Sequence, residues 1–478
     1  MSQKKFGALV SCASNGVLTV QSVKELVLCL EKMGYNLLEL CIDDTYKIDS
    51  EPFFGYLRGG YTREEIREMD AFAAAHGIEL VPDIQTLGHL TILVKHPCYA
   101  DIVDIDDILM VDEPKTYELI DKMFASVAAD FTTRNVNIGF DEAHRVGPGR
   151  YLDKHGYTDR FELLLRHLNK VVEIAAKYGF NVHMWSDMFY RLANKGEYCV
   201  EQPNMPDEVI SKVPDVELCY WDYYNTDEKM YDGMLTSHEK FGKPLWFACG
   251  AWTCMGFAPL NHYALRTIAP AMKQVAKHNV NNVLVTLWGD DGNDCSYFAA
   301  LPVLFAAKQF AEGNFDLDKI KTRFDELFDI SFDDFMKLDL PNKISSNIDY
   351  SYGFSSCKTM LFNDPFLGWK DSAIEKIDFV PFEEYAKQIK CAAKQAVEYK
   401  YLFDNAEALC KALSLKYSLG IDTRRAYKEN DKKHCLNWQV GMLKRQKRCR
   451  SFARQCKTTG TTTLSHTGGK YTKCASAD

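Results

Sequence analysis

The sequence predicts a (β/α)8 TIM barrel followed by a helical C-terminal region. Short β-branched apolar runs alternate with longer helical patterns, eight such runs occur, and the strand signal stops near residue 316, where only helical periodicity continues. Alternation of this kind calls for parallel strands covered by helices, and eight units close a barrel.

In chain order the strand-like runs are residues 6–10, 36–42, 78–84, 136–140, 181–185, 216–221, 245–249 and 283–288. The segments between them carry helix signals. Thr62 and Glu65 form a capping box opening a helix over 62–76, and a helix over 160–178 is stopped by Gly179. Beyond the barrel, Phe382, Tyr385, Ile389, Ala392, Ala393, Ala396 and Val397 trace one helical stripe. The expected organisation is a catalytic barrel over 1–312, a helical domain over 313–430 and an atypical basic tail over 431–478. No Pro-rich or Gly/Ser linker separates barrel and helical domain, so the two are expected to pack firmly.

Composition narrows the function classes. At 478 residues the chain exceeds the ~250 residues of a single barrel. With 46% apolar and 26% charged residues it is an ordinary globular composition, which excludes a disordered or fibrous chain. Residues 431–478 hold 11 Lys or Arg against 2 Asp or Glu, leaving 46 against 64 in the main body. That acidic body repels phosphate backbones, so no nucleic-acid partner is expected. No apolar run reaches the ~18 residues of a membrane span, and no signal peptide is visible. The 16 cysteines lack CxxC spacing, which fits reduced thiols in a cytoplasmic protein and no structural zinc.

Chemistry in such a barrel sits at the C-terminal strand ends. Strand two runs into Asp43 and Asp44, strand three into Gln85 and His89, strand four into Asp141-Glu142, and strand five into Trp185-Ser186-Asp187. Strand six reaches Trp221-Asp222-Tyr223-Tyr224, strand seven Trp252, and strand eight Trp288 with Asp290. Four of the seven tryptophans therefore converge on one mouth. A sugar ring wants this arrangement, because its C–H faces stack on indole while its hydroxyls need carboxylates at the rim. The adjacent Asp141 and Glu142 can be driven to different proton affinities, as two-carboxylate glycoside hydrolysis requires.

The stretch 137–143 around Asp141-Glu142, the segment 82–90 with Gly88-His89, and the Trp288 region resemble glycoside hydrolase family 20, the β-N-acetylhexosaminidases. Residues 53–61, 151–157, 220–224 and 361–368 resemble its compact exo-acting branch without an N-terminal accessory domain, and the likeness extends from residue 1 to about 430. The resemblance implies removal of terminal β-linked N-acetylglucosamine or N-acetylgalactosamine by a substrate-assisted retaining mechanism through an oxazolinium intermediate. It casts Glu142 as general acid, Asp141 as the carboxylate that orients the 2-acetamido group, and Tyr223 or Tyr224 as donor to the acetamide oxygen. Trp185, Trp221 and Trp252 would box the acetamido methyl and sugar face, with Trp288 at the pyranose. Asp290, Asp291 or Asp294 would hold distal hydroxyls. Asp294 stands where the family is expected to have Glu, and Asp43 likewise. His89 joins the substrate-binding rim, and His89 and His144 read as hydrogen-bonding supports for the pair. His183, by parity with Trp185, points into the barrel. No cofactor or metal is expected, the partner is a small glycan or glycoconjugate, and self-association into a homo-oligomer is compatible with the sequence.

Two other classes compete. A metal-dependent isomerase or amidohydrolase would gather His89, Asp141, His183 and Asp187 on an ion, but no HxH pair lies on an early strand. A non-catalytic sugar-binding barrel would keep the tryptophans without needing both acids. In the tail, apolar periodicity gives way to a Lys/Arg-rich stretch over 444–450 and a Thr/Gly-rich end. Either the reading frame changes there or the tail is divergent and solvated. In the first case Leu409, Leu413 and Leu415 would be left uncovered, and in both cases residues after about 456 are expected to pack poorly and to stay out of the active site.

Overall fold

The computed structural model describes residues 4–13, 16–290, 292–345, 356–431, 448–455 and 464–465. Eight parallel strands close a barrel: β1 (Lys5–Ser11), β2 (Leu37–Cys41), β3 (Glu79–Asp83), β4 (Asn135–Asn137), β5 (Asn181–Trp185), β6 (Glu217–Trp221), β7 (Leu245–Gly250) and β8 (Asn282–Leu287). Neighbours run in chain order, and β1 closes the ring by pairing in parallel with both β8 and β2. The strands are buried on both faces, which is why they read as continuous apolar runs in the sequence.

A helix follows each strand: α1 (Val20–Met33), α2 (Arg63–Ala75), α3 (Pro114–Asp130), α4 (Arg160–Lys177), α5 (Asp187–Ala193), α6 (Glu228–Glu239), α7 (Asn261–Lys277) and α8 (Leu301–Ala311). The Thr62–Glu65 capping box opens α2 as the sequence predicts. Gly179, at φ 73°, follows α4 where the stop signal falls.

One strand differs from expectation. The fourth run is read over 136–140, yet β4 ends at Asn137, because Gly139 and Phe140 both take left-handed backbone (φ 72° and 76°) and leave the sheet. Asp141 and Glu142 therefore sit on a turn beyond the strand.

The barrel interior carries a polar core. His183 Nε2 lies 2.7 Å from Glu39 Oε1, both side chains are buried, and the imidazole stacks on Trp246 with centroids 4.6 Å apart. Asn137 donates to the other Glu39 oxygen at 3.5 Å. Polar groups this deep are tolerated because each has a hydrogen-bonding partner.

Past the barrel lie α9 (Leu317–Phe328), α10 (Ser356–Phe362), α11 (Phe382–Ala392), α12 (Lys400–Lys416) and α13 (Leu419–Lys428). The stripe on α11 buries Phe382, Ile389 and Ala392 and continues to Ala396. Val397 departs from it: the helix has ended, and the side chain is 83% exposed. Leu409 and Leu413 are fully buried and Leu415 is half-buried, so this face of α12 is covered. Residues 448–455 form a helical segment in which Phe452 is buried edge-on to Phe257 and Arg448 pairs with Glu383 at 2.9 Å. Leu464–Ser465 pairs antiparallel with Val17–Leu18. The remainder of the tail, including the basic stretch over 444–447, lies outside the described residues.

The thirteen described cysteines form no disulfide. Among the described residues no helix is long and apolar enough to cross a membrane, and no three His, Cys, Asp or Glu side chains converge as metal ligands would.

Candidate active site

A cavity of about 790 Å³ opens at the C-terminal end of the strands. Asp43, His89, Asp141 and Glu142 line one side, and Trp185, Trp221, Tyr223, Tyr224, Trp252 and Trp288 line the other, with Asp290 at the rim. Asp294 is the predicted site residue that does not line the cavity. Its carboxylate pairs with Lys358 of α10 at 2.6 Å, which ties the β8 loop to the helical domain. Asp291 lies outside the described residues.

The carboxylate pair is aimed by strained backbone. Of the thirteen non-glycine residues with left-handed φ among the described residues, Asp43, His89, Phe140, Glu142 and Trp252 all belong to this mouth. Strain gathered in this way marks a place where the fold holds side chains in directions they would not choose alone. Gly139 is required at the start of the turn: it has φ 72°, and a Cβ there would fall 2.1 Å from Gln85 Oε1.

Asp141 is held from two directions. His89 Nε2 lies 3.2 Å from its Oδ2, and Gln85 Nε2 donates to its Oδ1 at 3.3 Å. Burial alone would raise the Asp141 carboxyl, but the His89 charge and the two hydrogen bonds outweigh it, and the group stays below the ordinary carboxylate range. His89 is correspondingly raised to about 10, chiefly by Asp141 and against its own burial. The same His89 nitrogen is 3.8 Å from Glu142 Oε2, so one imidazolium faces both carboxylates. Asp43 is pushed up to about 7 by burial and by neighbouring Asp44, which itself pairs with Arg58 at 3.1 Å.

Glu142 is held from behind. Its backbone N–H donates to Asp187 Oδ2 at 3.0 Å, and Arg191 Nη2 lies 3.5 Å from its Oε1. Asp187 is fully buried, and burial together with the Asp141 charge raises it to about 7. His144 is exposed, and its backbone N–H donates to the Glu142 carbonyl at 2.6 Å.

The aromatic wall is cross-braced. Tyr223 stacks on Trp221 with centroids 5.2 Å apart, its hydroxyl accepts from Trp288 Nε1 at 3.0 Å, and its carbonyl accepts from Trp252 Nε1 at 3.1 Å. Trp185 is 1% exposed and packs 5.9 Å from Trp288. Tyr224 sits further out, 39% exposed and edge-on to Trp252.

Sequence reasoning missed Arg58, Gln85 and Arg191 as contributors. Arg58 stands inside the 53–61 stretch and Gln85 at a strand end, so both carried a positional signal. Arg191 carried only its place one helical turn after Asp187.

Comparison with known proteins places the chain in a family. Residues 39–211 match the glycosyl hydrolase family 20 catalytic domain, and residues 333–460 match the Glycoside Hydrolase 20C C-terminal domain. The second match runs past residue 430, where the likeness drawn from sequence ends. The chain is 33% identical over 143 residues to a beta-hexosaminidase of Vibrio furnissii, covering 25% of this chain and 23% of that protein. It is 26% identical over 192 residues to hexosaminidase D of Bos taurus, covering 37% and 52%. The chain thus spans about half the length, or less, of these curated relatives. In fold it resembles the GH20 exo β-N-acetylglucosaminidase of Vibrio harveyi, with a TM-score of 0.53 at 18% identity over 70% of this chain and 58% of that one. A family-20 catalytic-domain match that lies within the closed eight-stranded barrel and a family-20C match over the helical region behind it make the assignment: the chain belongs to glycoside hydrolase family 20.

Proposed function

We propose that the protein is an exo-β-N-acetylhexosaminidase that uses the substrate's own acetamide as nucleophile. The observation that carries this reading is the Asp141 carboxylate, kept ionised by His89 and Gln85 beside Glu142 and facing a wall of tryptophans. An ionised carboxylate in a cavity accepts the acetamide N–H and stabilises the positive charge that grows on that nitrogen.

In the first step Glu142 gives its proton to the glycosidic oxygen. The C1–O bonding pair leaves with that oxygen, and the acetamide carbonyl oxygen closes on C1 to form an oxazolinium ion. In the second, Glu142 takes a proton from water as the water oxygen attacks C1 and the ring reopens, so the anomeric configuration is retained. Tyr223 is the better placed of the two tyrosines to donate to the acetamide oxygen, since its hydroxyl lies deep in the wall and already accepts from Trp288. Arg58, paired with Asp44 at the rim, and Asp290 suit the sugar hydroxyls.

A panel of aryl β-glycosides with and without the 2-acetamido group tests the reading. Hydrolysis of the N-acetylglucosaminide, with little on the plain glucoside, is expected, and a thiazoline mimic of the oxazolinium ion should inhibit competitively. Comparable rates on both sugars would sink the substrate-assisted mechanism.

A further inference from the structure

The helix α5 begins two residues after Trp185 and carries two charged groups one turn apart on the face behind Glu142. Asp187 Oδ2 accepts both the Glu142 backbone N–H at 3.0 Å and Arg191 Nε–H at 3.2 Å. Arg191 then turns its outer nitrogen to Glu142 Oε1 at 3.5 Å. Its guanidinium carbon lies 5.5 Å from the Tyr198 ring and 5.9 Å from the Trp221 ring, and the Tyr198 hydroxyl accepts the Trp221 backbone N–H at 3.0 Å. One planar group thus touches the carboxylate, its backbone anchor and the wall that faces the sugar.

We infer that Arg191 is a positioning residue for Glu142, fixing the acid's carboxyl against the Trp221 wall so that the proton is delivered to the glycosidic oxygen. The inference rests on the hydrolytic reading above and adds to it. The geometry asks for a fork: Nε serves Asp187, Nη2 serves Glu142, and the guanidinium lies over the Tyr198 and Trp221 rings, whereas a lysine ammonium has one charge centre and no face. Glu142 needs such help because its own backbone is left-handed at φ 49° and its side chain is 41% exposed, so the carboxyl has room to swing away. When the proton leaves, the new carboxylate forms beside the Arg191 cation and is held there until it takes a proton from the attacking water. An ordinary surface ion pair contributes little to stability. What distinguishes a positioning role is therefore an effect on proton delivery greater than any effect on stability.

The test uses the full chain with Arg191→Met, which keeps the stem, and Arg191→Lys, which keeps the charge. Each is assayed on N-acetylglucosaminides with a poor phenyl and an activated dinitrophenyl leaving group. Since general acid catalysis is worth roughly 10²–10⁴-fold, partial misplacement by Arg191→Met should cost about 10–100-fold in kcat/KM on the phenyl substrate and about threefold or less on the dinitrophenyl one. KM and the thiazoline inhibition constant should stay within about threefold, because the sugar pocket is intact. Arg191→Lys should fall between the variant and wild type, and it serves as the folded probe if the Met variant melts early. Equal losses on both leaving groups, a loss carried by KM, or no loss would overturn the inference. A wild type with no preference for the acetamido sugar would instead overturn the hydrolytic reading itself.

Discussion

His89 Nε2 stands 3.2 Å from Asp141 Oδ2 and 3.8 Å from Glu142 Oε2, so a single side chain faces both acids at the mouth. Its folded value of about 10 lies above the ordinary histidine value of 6.5. A group raised on folding stabilises fully below its unfolded value and loses that contribution as pH climbs through the folded one. The melting-temperature gap between wild type and His89→Gln is therefore expected to be widest near pH 6 and to shrink steadily towards pH 10. Thermal melts across that range check it, and a gap that stays constant would mean His89 is not charged in the folded protein.

Glu142→Gln and Asp141→Asn should separate by leaving group. Without its proton donor, Glu142→Gln is expected to lose roughly 10²–10⁴-fold on poor leaving groups and much less on activated ones, which depart with little protonation. Asp141→Asn should hurt both kinds alike, by roughly 10²-fold or more, because orientation and charge stabilisation of the acetamide do not depend on the aglycone. The measurement is kcat/KM on matched aryl substrates. An Asp141→Asn enzyme near wild type would show that the two roles are misassigned.

Tyr223 and Tyr224 are adjacent in sequence and differ in burial, so Phe substitutions should tell them apart. Removing the Tyr223 hydroxyl takes away a group that accepts from Trp288 and would donate to the acetamide oxygen. The expected loss in kcat/KM is roughly 10²-fold, the size of one lost oxyanion-type donor. Tyr224→Phe keeps the exposed ring on Trp252 and should stay within about threefold of wild type. The reverse ranking would move the acetamide contact to Tyr224.

The barrel was legible because parallel strands buried on both faces leave β-branched runs that helices do not imitate, and seven of the eight runs match their strands to within a residue at each end. The fourth was over-read because Val136, Ile138 and Phe140 look like strand residues, while the turn is dictated by backbone dihedrals that side-chain pattern does not encode. Most of the residues that line the cavity were readable from their position at strand ends. Arg191 was not, since an arginine on a short helix looks like solvent-facing charge until the helix is placed against Glu142. Asp294 was misleading for the opposite reason: it follows strand eight closely, but its partner Lys358 is contributed by a helix more than sixty residues later in the chain. Val397 fits the stripe on α11 by spacing alone, and spacing says nothing about where the helix stops.

Gly139 is where fold and chemistry meet most tightly. Its φ of 72° is one that L side chains rarely adopt, and a Cβ there would fall 2.1 Å from Gln85 Oε1, the amide whose other end donates to Asp141. Gly139→Ala should therefore cost roughly 1–3 kcal/mol of stability through backbone strain alone. It should also push Gln85 aside and loosen Asp141, lowering activity on every leaving group in the manner of Asp141→Asn. Adding Gln85→Ala removes the clash but not the dihedral strain, so the double variant should recover part of the lost stability. It should recover none of the activity, because the Gln85 donor to Asp141 is then gone and only His89 still holds that carboxylate. Denaturant melts paired with kcat/KM on the two aryl substrates distinguish these outcomes. A Gly139→Ala protein as stable as wild type, or a double variant with restored turnover, would show that the turn beyond β4 is not what aims the carboxylate pair.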